Sequence, residues 1–255
     1  ASGGRGSRPM RVLGILHQED AGLGVFARPI AERGAELDSW LLPDGGPPPD
    51  DPFAYQAVLT LGGSANPDER RRFGWIRREQ ELLSELLAAG TSIMGLCLGG
   101  QLLAVAAGGS VRRACRPEIG WYGLEPTAAC DEDPVLGGVP AGLEVLEWHG
   151  YEFLAPPGAV PLARSEVCLQ ACRIGSCAWA LQFHPEVDRR ILDGWIDEHH
   201  ADPDVATHGL DLEELRAESD PRIDAFNAFG GRLCARWLDA AAAEASTVSG
   251  SGGRR

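Results

Sequence analysis

The 255-residue sequence contains no lysine, so its 23 basic side chains are all arginine. That absence removes Schiff-base and P-loop lysine chemistry. Positive charge is scarce overall, 23 arginines against 37 Asp and Glu, for a net charge of −14. No basic footprint for a phosphate backbone or anionic lipid exists in such a chain, and neither nucleic acid nor membrane is expected as a partner. No stretch approaches the roughly 18 consecutive apolar residues of a membrane span. Cysteine is sparse and odd in number, seven in all. That is too thin for a disulfide scaffold, and with no export signal visible a reducing cytoplasm is the expected compartment.

What is present has an ordinary globular balance, 44% hydrophobic and 24% charged. Residues 1–9 are rich in Gly, Arg and Ser and read as a flexible leader; 246–255 read as a similar tail, and 10–245 as a single domain. Within it, short apolar runs alternate with longer amphipathic stretches, the rhythm of strands and helices in a mostly parallel α/β sheet. Strands are predicted at 12–16, 36–42, 57–61 and 92–96, with helices at 24–34, 70–89 and 101–107. The four prolines and two glycines of 44–52 make that segment a loop rather than a polyproline ligand. Further strands follow at 120–127, 143–148, 160–165, 167–173 and 178–183. Residues 186–224 carry thirteen acidic and four basic side chains and read as helical and solvated, with a last amphipathic helix at 231–243.

The chemistry concentrates at Ser92 to Gln101, SIMGLCLGGQ, where a strand runs into G-x-C-x-G and then a helix. Small residues two before and two after Cys97 permit a nucleophile elbow, with the N–H of Leu98 facing a reacting oxygen. A helix start also favours a thiolate. A thiol needs a base and the base an orienting partner. His184 ends an apolar strand, Pro185 enforces extended geometry there, and Glu186 returns to the same side of the chain. Taken alone, a strand-end histidine serves structure as readily as catalysis, and Glu186 could be a solvated carboxylate.

The GLCLGGQ elbow, the later QFHPE run and the Gly62-Gly63 pair after the third strand together resemble the class I, triad-type glutamine amidotransferase family over residues 11–238. The resemblance implies a doubly wound, flavodoxin-like sheet with helices on both faces, and a catalytic set of Cys97, His184 and Glu186. It further implies an oxyanion hole from the N–H groups of Gly63 and Leu98, and glutamine contacts from Gln101, Gly150 and Tyr151. No cofactor or metal is called for. Family members often carry Asp where Tyr151 stands and Pro where Ser64 stands, which leaves substrate preference open. The implied activity is that of a free-standing glutaminase, similar to the glutaminase part of GMP synthase, passing ammonia to a separate partner enzyme. A γ-glutamyl peptidase or γ-glutamyl-amine hydrolase using the same triad is the alternative, and a catalytically silent binding module the third reading.

Other clusters carry less. Cys168, Cys172 and Cys177 lack knuckle spacing and read as buried thiols. His199, His200 and His208 lie among acids and offer an adventitious metal contact rather than a physiological site. His149 reads as structural or pocket-lining, while His17, Glu19 and Asp20, after the first strand, read as loop or cap residues near the mouth of the site.

Overall fold

Residues 9–19, 22–198 and 202–251 are described by a computed structural model, the last six through their backbone alone. The strands are β1 (Arg11–Leu16), β2 (Glu36–Leu41), β3 (Ala57–Thr60), β4 (Ser92–Leu96), β5 (Ser110–Pro126), β6 (Leu143–Leu154), β7 (Val160–Arg164), β8 (Leu169–Ile174) and β9 (Ala178–Leu181). The helices are α1 (Ala27–Glu32), α2 (Gly74–Ala89), α3 (Leu98–Ala106), α4 (Arg189–Glu198), α5 (Pro203–His208), α6 (Leu212–Ser219) and α7 (Ile223–Ser251).

The strands form one sheet in the order β2-β1-β3-β4-β9-β8-β7-β5-β6. The half from β2 to β9 is parallel. From β9 to β6 the pairing is antiparallel, so the expected parallel sheet carries an antiparallel extension. Alternate side chains of the central strands serve two cores, as the period of two requires. Val12, Leu59 and Met94 meet α1, α4 and α7 on one face. Leu13, Val58 and Ile93 meet α2 and α3 on the other. Function in such a sheet gathers beyond the carboxyl ends of the strands, and here the ends of β3, β4 and β9 lie side by side.

Three sequence expectations are corrected. β5 begins at Ser110 rather than 120 and β6 continues to Leu154 rather than 148, because Arg112, Arg113 and Arg116 of the outer part of this hairpin face water and no apolar alternation marks it. The acidic segment is helical but not merely solvated: α4 buries Ile191, Leu192, Trp195 and Ile196, and its carboxylates pair outward with Arg189 and Arg216. The last helix starts at Ile223, burying Phe226, and its backbone runs through 246–251, expected as tail.

Asp133 ties this frame together. Its buried carboxylate accepts from the N–H groups of Val135 and Leu136 at 2.9 Å, the Trp179 indole of β9 at 3.1 Å and the Arg173 guanidinium of β8 at 3.0 Å. Removing it strands several buried donors, each costing about 1–3 kcal/mol. Asp133→Ala is expected to lower the unfolding free energy by roughly 3–5 kcal/mol in chemical denaturation; a loss below about 1 kcal/mol would show the carboxylate to be dispensable.

Candidate active site

Cys97 joins β4 to α3 with φ 49° and ψ −110°, and among the described residues no other non-glycine has positive φ. Such a conformation costs on the order of 1–3 kcal/mol and persists only where its surroundings enforce it. They do so through glycine. A Cβ on Gly95 would lie 2.6 Å from the Gly99 carbonyl oxygen, one on Gly100 would lie 2.5 Å from that of Leu181, and one on Gly99 would overlap the Thr60 carbonyl. Backbone bonds complete the clamp: Cys97 N–H to Leu181 at 2.8 Å, Gly99 N–H to Leu61 at 3.0 Å. The elbow is thus wedged between the ends of β3 and β9. Its sulfur is nearly buried, 3.8 Å from the Trp148 carbonyl, with the Gln182 amide donating to it from 3.7 Å.

β9 delivers Gln182, Phe183 and His184 to the same end of the sheet. His184 Nδ1 lies 2.9 Å from Glu186 Oε1, leaving the other ring nitrogen for the Cys97 thiol. Burial opposes charge on this imidazole, but Cys97 and Glu186 more than offset it and hold its pKa well above the ordinary range. The ring meets Trp195 edge-on at 4.8 Å. The turn behind it is gripped by glycine from two distant segments. Val25 N–H bonds the Glu186 carbonyl at 2.8 Å, and a Cβ on Gly24 would overlap that carbonyl. A Cβ on Gly230 of α7 would overlap the carbonyl of Pro185.

A cavity of about 330 Å³ opens above Cys97, within the size range of small-molecule sites. Gly63, Leu98, Gln101, Gly150 and Tyr151 all line it. A smaller recess of about 100 Å³ holds His184 beside Cys97 and Gly63. The expected site residues therefore converge, Glu186 lying behind the imidazole. Leu98 is the first residue of α3, so its N–H has no acceptor within the helix. Gln101 is more than a surface amide: its nitrogen donates to the Tyr151 carbonyl at 2.9 Å and to Gln182 Oε1 at 3.3 Å.

The profile described as glutamine amidotransferase class-I matches residues 27–194, well over half of the chain. The chain belongs to the class I glutamine amidotransferase family. Among relatives, the glutamine amidotransferase-like protein YfeJ of Salmonella typhimurium is 28% identical over 204 residues, 77% of this chain and 83% of that one. Gamma-glutamyl peptidase 3 of Arabidopsis thaliana is 29% identical over 181 residues, 68% and 72% of the two chains. A GMP synthase of Aeropyrum pernix is 34% identical over 129 residues, 48% of this chain but 25% of that one. The crystal structure of a glutamine amidotransferase from Thermotoga maritima superposes with a TM-score of 0.82 at 29% identity, covering 91% of this chain and 99% of that one.

Sequence reasoning missed several features of this amidotransferase site. The cavity rim is charged: Arg113 pairs with Asp204 at 2.5 Å across Gly150, and Asp202 accepts from the Trp148 indole at 3.3 Å. Tyr151 donates to Asp68 at 3.1 Å beneath Arg113. No motif marks Asp202 or Asp204 within the acidic run. His17, expected in a loop or cap, is instead buried, bonded to Glu79 and stacked on Trp75; Glu19 is exposed and Asp20 lies outside the described residues. His199 and His200 also lie outside them, and His208 is exposed.

His149 is pocket-lining and buried, with Nε2 3.2 Å from a carboxylate oxygen of both Glu118 and Glu147. Glu118, His149 and Cys168 stand close enough together to hold a metal ion. Glu118, His149 and Glu147 form an ion-paired triad, although Glu118 Oε1, both Glu147 oxygens and His149 Nε2 make no hydrogen bond among the described residues. Gln170 donates to Glu118 at 2.8 Å, and burial pushes the Cys168 thiol far up, away from the thiolate a metal requires. Burial lowers the His149 pKa, but the two carboxylates outweigh it and raise it to about 10. Burial raises Glu147 from 4.5 to about 7.

These shifts set a sign for stability against pH. A histidine whose pKa is raised on folding contributes fully below its unfolded value of 6.5, and that contribution is lost as pH climbs toward about 10. Glu147 holds its proton more tightly when folded, so stability also falls between pH 4.5 and about 7. The unfolding free energy is therefore expected to decline from about pH 6 to about pH 10, more shallowly in His149→Gln. Equal slopes in denaturant titrations of the two proteins would contradict the triad's charge state.

Proposed function

We propose that the protein is a glutaminase of the amidotransferase type, hydrolysing the side-chain amide of glutamine through a Cys97–His184–Glu186 triad. The observation that carries this reading is the strained Cys97 elbow held against an imidazole whose far nitrogen is fixed on a buried carboxylate. Cys97 Sγ attacks the amide carbon with its proton already held on His184, whose raised pKa keeps the ring protonated. The oxyanion lies between the N–H groups of Gly63 and Leu98, donors worth a few kcal/mol each at the transition state. His184 then protonates the leaving nitrogen, ammonia departs and a γ-glutamyl thioester remains. Water, losing its proton to His184, attacks the thioester carbon; glutamate leaves and the thiol is restored. Glu186 keeps the ring in register and stabilises the imidazolium. Gln101, Gly150 and Tyr151 border the glutamate moiety. This mechanism uses no cofactor or metal.

In the amidotransferase form, ammonia passes to a separate acceptor enzyme. Relatives named as glutamine-hydrolysing GMP synthase subunits, from Sulfolobus acidocaldarius and Saccharolobus solfataricus, support that role. The free thiols suit a reducing cytoplasm, and among the described residues no helix is long and apolar enough to cross a membrane. One observation favours a second reading, hydrolysis of larger γ-glutamyl amides or peptides: the cavity extends past Cys97 to Asn66, Pro67 and Pro203, giving room for a leaving group beyond ammonia.

The test is a screen of glutamine and larger γ-glutamyl amides for ammonia or amine release. Cys97→Ala is expected to abolish turnover, and Glu186→Gln to lower kcat by at least about 100-fold. Gly230→Ala, by displacing Pro185, is expected to cost about 10- to 100-fold while leaving the elbow in place. Full activity in Cys97→Ala would sink the assignment. Preference for bulky leaving groups would favour the peptidase reading, and no turnover together with an unreactive Cys97 the silent-module reading.

A further inference from the structure

His17 has no part in the triad, yet it sits directly behind the Gly62-Gly63 pair. Its Nδ1 lies 3.2 Å from the Gly62 carbonyl oxygen and its Nε2 2.7 Å from Glu79 Oε2 of α2. The second oxygen of Glu79 accepts from the Thr60 hydroxyl of β3 at 2.6 Å. All three side chains are buried, and the imidazole stacks on Trp75 at 5.1 Å. This chain of bonds joins the ends of β1 and β3 to α2 and finishes on one peptide group.

A carbonyl oxygen can only accept, so Nδ1 must carry the proton of that bond. Both ring nitrogens face acceptors, Nδ1 the Gly62 oxygen and Nε2 a Glu79 oxygen. Although burial disfavours charge on His17, Glu79 outweighs it and raises its pKa, which favours the doubly protonated ring and strengthens the bond to Gly62. In a trans peptide the C=O and N–H point to opposite edges of one plane, and no cis peptide occurs among the described residues. Fixing the Gly62 oxygen toward His17 therefore fixes the Gly63 N–H the other way. Between two glycines that peptide would otherwise rotate at little steric cost.

We propose that His17, braced by Glu79 and Thr60, is a positioning residue that holds the Gly62–Gly63 peptide with its N–H turned to the oxyanion formed at Cys97. The proposal rests on the hydrolytic reading above and adds a residue to it. His17 acts by orienting and polarising the donor and touches no reacting atom. Glu79 keeps the ring at its angle, and Thr60 keeps Glu79 at its own.

Side-chain geometry supplies the test. The amide nitrogen of Asn overlays Nδ1 of His, and that of Gln overlays Nε2. His17→Asn keeps a donor for Gly62, whereas His17→Gln keeps only the partner of Glu79. The wild type and His17→Asn, His17→Gln and His17→Phe are compared in kcat and KM for the best γ-glutamyl amide, and in alkylation of Cys97 by iodoacetamide, followed on its own peptide. Iodoacetamide reacts by displacement at a methylene and builds no oxyanion.

His17→Gln and His17→Phe are expected to lose on the order of 100-fold in kcat with KM changed less than about threefold, the signature of a lost oxyanion donor. His17→Asn should recover to within about tenfold of wild type, and alkylation should stay within about twofold throughout. A role limited to filling space and satisfying Glu79 reverses the order of Asn and Gln, and that order, or unchanged kcat in all three, overturns the proposal. If the His17 variants do not fold, Glu79→Gln replaces them, with about a tenfold fall in kcat expected and an unchanged kcat decisive against. A wild type that turns over no γ-glutamyl amide defeats the functional reading instead. Crystal structures of wild type and His17→Gln then decide this proposal alone: a rotated Gly62 carbonyl supports it, and one that stays in place overturns it.

Discussion

The site depends on one strained residue. Cys97 holds a left-handed backbone that an L-side chain rarely adopts, and it can hold it because Gly95, Gly99 and Gly100 let the ends of β3, β4 and β9 close to within touching distance of the turn. The stability of the whole sheet is what makes the strain tolerable: a turn costing a few kcal/mol is retained only when many buried contacts over-determine it. The same turn starts α3, so the geometry that turns Cys97 toward the cavity also presents the N–H of Leu98. Placement of the Cys97 sulfur and of the Leu98 N–H are thus a single structural event.

Around that turn the buried basic groups are imidazoles, with Arg113 at the cavity rim. The chain has no lysine, and its arginines sit chiefly at the surface. Three of its six histidines are buried against carboxylates: His17 on Glu79, His149 on Glu118 and Glu147, and His184 on Glu186. A buried ion pair is weak evidence for stability, because desolvation consumes most of the attraction. It is better evidence for a fixed charge and a fixed orientation, which preorganised catalysis requires. The three pairs differ in what they fix: the ring beside the Gly62–Gly63 peptide, a pocket wall and the ring beside Cys97.

What could be read from the sequence followed from the range of the interactions involved. The elbow was legible because its glycines and cysteine lie close together in the chain, and His184 with Glu186 because proline and a two-residue offset fix their relation locally. The parallel core was legible from apolar runs buried on both faces. The β5–β6 hairpin was under-read because polar residues such as Arg112 and Glu152 pair across it without apolar alternation. The apolar stripe of α4 was obscured by the charge of its other face. His17 was misplaced for a different reason: its partner Glu79 is 62 residues away on another element, and no pattern within either segment announces the pair. Gly24 and Gly230 were equally silent, since the carbonyls they accommodate belong to the distant Pro185–Glu186 turn.

That distance dependence also explains why the site must move as a unit. A Cβ on Gly62 would come within 2.8 Å of His184 Cε1, and one on Gly63 within 2.7 Å of His17 Cβ. The Gly62–Gly63 segment after β3 is therefore squeezed between His184 on one side and His17 on the other. A displacement of either ring toward this gap is passed to the peptide between them. Close packing couples the placement of His184 to that of the Gly62–Gly63 peptide, and glycine is required at both positions because only backbone fits in the gap.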